Sequence, residues 1–151
     1  MRLAAATVLA AVLAACATQP EGPRASPDVG PAGTSFTLAA VDGQALPALA
    51  YFGVDVAIQA TKGDLALAAD HGYTLGLEFN SHFASGNRDV PFTQQEQGRW
   101  SGTGSDILLT STSGLAHKVM LSGDSLQVVL TVADADPPDR ATKSYTFRRF
   151  H

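Results

Sequence analysis

The stretch Leu65-Ala66-Leu67-Ala68-Ala69-Asp70-His71-Gly72-Tyr73-Thr74-Leu75-Gly76-Leu77-Glu78-Phe79 holds two alternating runs on either side of Asp70-His71-Gly72. Alternation with period two marks a strand with one buried face, and the short Asp-Gly-containing gap is turn chemistry, so the segment predicts an antiparallel hairpin. Placing Tyr73, Leu75, Leu77 and Phe79 inward leaves the strand's one charge, Glu78, in water. A slip of one residue would bury it.

The same scheme extends in both directions. Upstream, Phe36, Leu38 and Ala40 alternate before Asp42-Gly43, a tight-turn dipeptide, and Val54, Val56 and Ile58 form a further run. Between them, residues 44–53 show no clean alternation and contain Pro47, which predicts an irregular loop, or a short helical turn, over one end of the core. Downstream, residues 80–87 read as a polar loop, and strands are expected over 90–95, 99–102, 106–111, 117–122, 125–133 and 142–150. Gly and Asp recur just before strands at Gly63-Asp64, Gly104-Ser105-Asp106 and Gly123-Asp124. Short turns imply antiparallel neighbours. The fold expected is all-β, an antiparallel meander of about eight or nine strands closed into a small barrel over residues 34–151, since closure removes exposed edges.

Residues 17–33 contain Pro20, Pro23, Pro27 and Pro31 with three glycines and almost no bulky apolar side chains. Such a segment buries too little surface to fold and reads as an extended tether reaching roughly 50 Å at about 3.1 Å per residue, or as a strap whose end packs on the domain. Before it, Arg2 precedes an uncharged run rich in Ala, Val and Leu, followed by small residues and Cys16. The run falls short of the about 20 residues that cross a bilayer, so it reads as a cleaved leader over residues 1–15. Leu13-Ala14-Ala15-Cys16 resembles the lipobox of bacterial lipoproteins. That resemblance implies cleavage before Cys16 and acylation of its thiol and amine. Two or more chains anchor stably where one binds reversibly, and Ala17 in place of an Asp retention signal implies the outer membrane of the cell envelope. An ordinary signal peptide leaving Cys16 as a free thiol is the alternative.

Cys16 is the only cysteine, so no internal disulfide or cysteine-rich zinc site can form and stability has to come from an apolar core. Loss of the leader with Arg2 would take the formal charge from −4 to −5, and the remaining basic residues are scattered apart from Arg148-Arg149. No nucleic-acid partner is expected. No nucleophile elbow, Walker loop, His-Glu-x-x-His or Cys-His pair is present, and His71, His82, His117 and His151 share no ligand spacing. Hence no catalytic residue, no metal ligand and no cofactor is assigned, and the chain reads as a non-enzyme. Asp134, Asp136 and Asp139 read as an acidic Pro-stiffened hairpin loop, with calcium chelation as the other reading. Arg149 is placed either stacked on Trp100 across one barrel end or exposed at the terminus.

Phe36-Thr37-Leu38 with Asp42-Gly43, Gly63-Asp64-Leu65 with Asp70-His71-Gly72-Tyr73, Gly98-Arg99-Trp100-Ser101-Gly102 and Tyr145-Thr146-Phe147-Arg148-Arg149 are together similar to a bacterial lipocalin-like domain. The chain departs from lipocalins proper in carrying its Gly-x-Trp element mid-chain instead of on the first strand. The resemblance implies a barrel with room for side chains or one small apolar ligand. Two functions follow. One is a membrane-anchored, ligand-binding or structural barrel module, with the lipid bilayer as its partner through Cys16. The other is a lipoprotein that binds an envelope protein through the loops at 80–87 or 133–139. A filled interior would move any binding to the outer surface.

Overall fold

The structure is a computed structural model that describes residues 31–133 and 141–150. The leader, Cys16, residues 16–30 of the tether, the acidic cluster Asp134, Asp136 and Asp139, and His151 lie outside the described residues.

Ten antiparallel strands form one sheet: β1 (Thr34–Val41), β2 (Gln44–Ala45), β3 (Ala48–Phe52), β4 (Val56–Leu67), β5 (Gly72–Phe83), β6 (Arg88–Thr103), β7 (Asp106–Ser111), β8 (Ala116–Ser122), β9 (Ser125–Thr131) and β10 (Thr142–Arg149). From β4 to β10 each strand pairs with the next, β10 pairs with β1, and β1 pairs with β4 through Thr34↔Leu67 to Thr37↔Asp64. That last ladder closes an eight-stranded barrel, the antiparallel meander expected from the turn chemistry and consistent with the lipocalin-like resemblance, and β2 and β3 are additions to it. The hairpin of residues 65–79 forms in the expected register, with Tyr73, Leu75, Leu77 and Phe79 buried and Glu78 exposed. Asp42 and Gly43 both take positive φ, 48° and 79°, and make the predicted two-residue turn between β1 and β2.

Three expectations need correction. Residues 44–53 are not an irregular loop: β2 pairs with β1, β3 pairs with β4, and the segment covers part of the core with Ala48, Ala50 and Tyr51. A bulge between Leu49 and Tyr51 turns the successive residues Ala50 and Tyr51 both inward, which erases the period-two signal. Residues 80–83 belong to β5, so the expected polar loop shrinks to a 3₁₀ turn at Ala84–Gly86. The runs 90–95 and 99–102 are one sixteen-residue strand, β6. Its inner face carries Val90, Phe92, Gln94, Glu96, Gly98 and Trp100, and the polar and glycine members hide the continuity.

Side chains fill the barrel axis. Phe36, Leu65, Leu109, Val119, Leu126, Val128, Tyr145 and Phe147 are each no more than 1% accessible to water. A side chain with no accessible area lines no void large enough for a water molecule, still less a ligand. Tyr145 contributes a hydroxyl that has no hydrogen-bond partner among the described residues, and burial, with the nearby Asp42 carboxylate, pushes that phenol well above its ordinary range.

Three sets of contacts close one rim of the barrel. Trp100 donates its indole Nε1–H to the Ala68 carbonyl at 2.9 Å and packs against His71, with ring centroids 4.5 Å apart. Arg149 does not stack on Trp100 as considered above. Its guanidinium sits over the Phe36 ring at 5.9 Å, and its Nε is 3.8 Å from Asp124, because β10 pairs Arg149 with Phe36 on β1. Pro31 is buried, and the Gly33 N–H donates to the Leu67 carbonyl at 2.6 Å, so the last residues before β1 pack on the barrel.

At the opposite rim the Asp42 carboxylate accepts from the Ser144 backbone N–H at 2.9 Å and contacts Lys143 Nζ at 2.9 Å. The Ser144 bond first, and the Lys143 ammonium second, hold its pKa below the usual carboxylate range. A carboxyl whose pKa is lower in the folded chain stabilises above the unfolded value of about 3.9 and loses that contribution as pH falls through the folded value. Asp42→Asn keeps the turn, since Asn tolerates positive φ. It is expected to lower stability at neutral pH by up to about 1 kcal/mol, the range of exposed pairs. In urea unfolding the difference from wild type should vanish once both chains are protonated in strong acid.

Candidate functional site

Glu96 points into the barrel from β6 at the level where β7 ends and β8 begins. Its carboxylate accepts a short hydrogen bond from the Tyr73 hydroxyl, and His117 Nε2 lies 3.0 and 3.1 Å from its two oxygens. The His117 and Glu96 side chains are only 14% and 13% exposed. Burial, and then the bond to Glu96, raise the Tyr73 phenol well above its ordinary range, so it remains a neutral donor. The cluster ties β5, β6 and β8 together, and both carboxylate oxygens are already engaged.

Nearby, Gln94 bridges strands that do not pair. Its amide nitrogen donates to the Thr131 carbonyl at 3.3 Å, and its oxygen accepts from the Ala133 N–H at 2.9 Å. This side chain stands in for a ladder rung between β6 and the end of β9, where β7 and β8 are too short to fill the space. Over residues 88–97, β6 has ladder partners only on β5.

The described histidines do not converge. His71 is at a left-handed turn position with φ 66°, His82 is exposed on β5 and 2.9 Å from Asp89, and His117 faces inward. Among the described residues no three His, Cys, Asp or Glu side chains come together as metal ligands. Tyr73 and His117 were each visible in the sequence, as a core residue and as an isolated histidine. Glu96 had no signal, since a carboxylate at an inward strand position reads as a solvated residue.

One cleft opens on the outer face of the sheet. It is a groove of about 920 Å³ across the outer faces of β1, β4, β5 and β6. Two cross-strand rows make its floor, Ser35↔Ala66↔Thr74↔Gln97 and Thr37↔Asp64↔Gly76↔Gln95. The β7–β8 turn contributes Thr112 and Ser113 at one side, and Phe150 stands at the other, its amide donating to the Ser35 carbonyl at 3.0 Å. Ala66 and Gly76 are small, which makes the centre shallow-walled and low. Asp64 contributes a carboxylate to this outer face, and exposed Arg148 on β10 is the cross-strand neighbour of Thr37 at its edge.

Comparison of the chain with protein-family models, with curated proteins and with solved structures yields no match.

Proposed function

We propose that this chain is a lipoprotein of the cell envelope, held in the outer membrane by acylated Cys16, whose barrel is a solid, non-catalytic scaffold that binds through its outer face. The observation that carries the outer-face part is the packed axis around Phe36, Leu65, Leu109, Val119, Leu126, Val128, Tyr145 and Phe147, each no more than 1% accessible, which takes up the room that a hollow barrel would give a small apolar ligand. The anchor rests on the leader and on Leu13-Ala14-Ala15-Cys16. Intact-mass analysis of the chain isolated from membranes tests it. A mature chain beginning at Cys16 with about three acyl chains, thiol and amine both modified, supports the reading. A bare thiol or a retained leader refutes it.

A second reading, binding of an envelope protein, is favoured by one feature. Phe52 and Val54 are 68% and 105% exposed on the β3–β4 turn, beside the 3₁₀ turn whose Ser85 is hydrogen-bonded to Asp55. That tip lies at the end of β4 opposite Leu67, where the chain from Cys16 meets the barrel, so it would point away from the anchoring lipid. Crosslinking from position 54 in cells that yields a single stoichiometric adduct would favour this reading. Its absence would leave the groove as the working surface.

A further inference from the structure

Because β6 pairs with β5 alone over residues 88–97, one flank of that stretch has no ladder partner among the described residues. Two bonds show which residues face it. In a strand the N–H and C=O of one residue point to the same side, and the side alternates along the chain. Trp100 donates its N–H to the His71 carbonyl beside β5 at 2.8 Å, whereas the Gln97 carbonyl accepts from the Thr112 N–H on the β7 side at 2.9 Å. The β5–β6 ladder runs from Gly72↔Arg99 to Phe83↔Arg88 without a register shift. Even-numbered residues therefore bond to β5, and Asp89, Pro91, Thr93 and Gln95 turn their backbone groups to the free flank. All four are exposed.

A free flank of this kind is a template for a strand of another chain, and two copies could pair across it, antiparallel, about a two-fold axis. Any continuous register that uses three of the four outward residues passes through position 91. Proline has no N–H to give there, and its ring stands between the strands where that hydrogen would be. The barrel itself loses nothing by it: Pro91 faces Asn80 on β5, and an N–H at this position would point away from β5. We infer that Pro91 bars the free flank of β6 from strand pairing with a second copy of this chain and so keeps the barrel monomeric. The inference goes beyond the outer-face reading and is independent of the acylation of Cys16.

Native mass spectrometry of the full chain, released from detergent over a range of protein concentrations, tests it. Wild type is expected as a monomer. Pro91→Val restores the donor and supplies a strand-forming side chain, and it should tighten self-association at least about tenfold, equivalent to 1.4 kcal/mol. In the associated form the Thr93 and Gln95 amides should exchange hydrogen more slowly than in the monomer. The melting temperature of dilute Pro91→Val should not fall. Thr93→Pro added to Pro91→Val should return the monomer, since residue 93 also points its N–H away from β5 and a proline there bars the same flank. A Pro91→Val chain as monomeric as wild type, or association that Thr93→Pro leaves in place, overturns the inference. So does wild type that already pairs with its Thr93 and Gln95 amides protected. A lower melting temperature of dilute Pro91→Val overturns it as well, because the proline would then serve the barrel itself.

Discussion

Gly98→Ala is expected to remove about 3 kcal/mol or more of stability, at the upper end of what overpacking does, while Gly76→Ala should add about 0.5–1 kcal/mol. At Gly98 the β6 backbone crosses so close to β7 that an added Cβ would sit 2.1 Å from the Thr110 carbonyl oxygen and 2.7 Å from the Ser111 Cα. Both are backbone atoms, so no rotamer change relieves the clash. The ladder from Gly98↔Ser111 to Thr103↔Asp106 would have to open, together with the Thr112 N–H bond to the Gln97 carbonyl. Urea midpoints of the two variants, measured side by side, check the contrast. Equal and small shifts would mean that β6 and β7 are farther apart than described.

Phe147→Ala carries the other large effect, a loss of about 3–5 kcal/mol against the 5–15 kcal/mol that hold an ordinary domain together. Phe147 has no accessible surface and lies between Leu38 on β1 and Leu126 on β9. Neighbours held in paired strands cannot collapse far into the space it leaves. Much of the variant should be unfolded at 37 °C if the chain sits near the lower end of that range. The control is Phe52→Ala, an exposed position of the same residue type, which should stay within about 0.5 kcal/mol of wild type. Circular dichroism melts of the pair read the difference.

Legibility of the fold tracked how cleanly each strand alternates. Residues 65–79 were readable because no bulge or inward polar residue interrupts them, and the Asp42-Gly43 and Asp70-His71-Gly72 turns advertised themselves through the φ > 0 that Asp42, Gly43 and His71 adopt. Residues 48–52 were not, because a bulge turns both Ala50 and Tyr51 inward. Nor was β6, whose inner face replaces apolar side chains with Gln94, Glu96 and Gly98. Of the two placements weighed for Arg149, stacking on Trp100 fails: Trp100 packs on His71 and Arg149 covers Phe36, a distinction that depends on the β1–β10 register.

The groove was hidden for a different reason. Ser35, Ala66, Thr74 and Gln97 are far apart in the chain and become a row only when β1, β4, β5 and β6 pair. One residue could have flagged it, Gly76, as a glycine inside an otherwise strong strand pattern. The Tyr73–Glu96–His117 cluster is likewise a product of register, with members from three strands.

A single stability measurement decides whether the barrel is solid. Val119→Phe adds bulk at a residue with no accessible surface, facing Ile107 on β7 and Val128 on β9. In a filled interior the larger ring forces neighbours off their rotamers, and urea unfolding should show a loss of about 1–3 kcal/mol. A neutral or stabilising effect would reveal unoccupied space along the axis. It would return the chain to the class of barrels that carry a ligand inside.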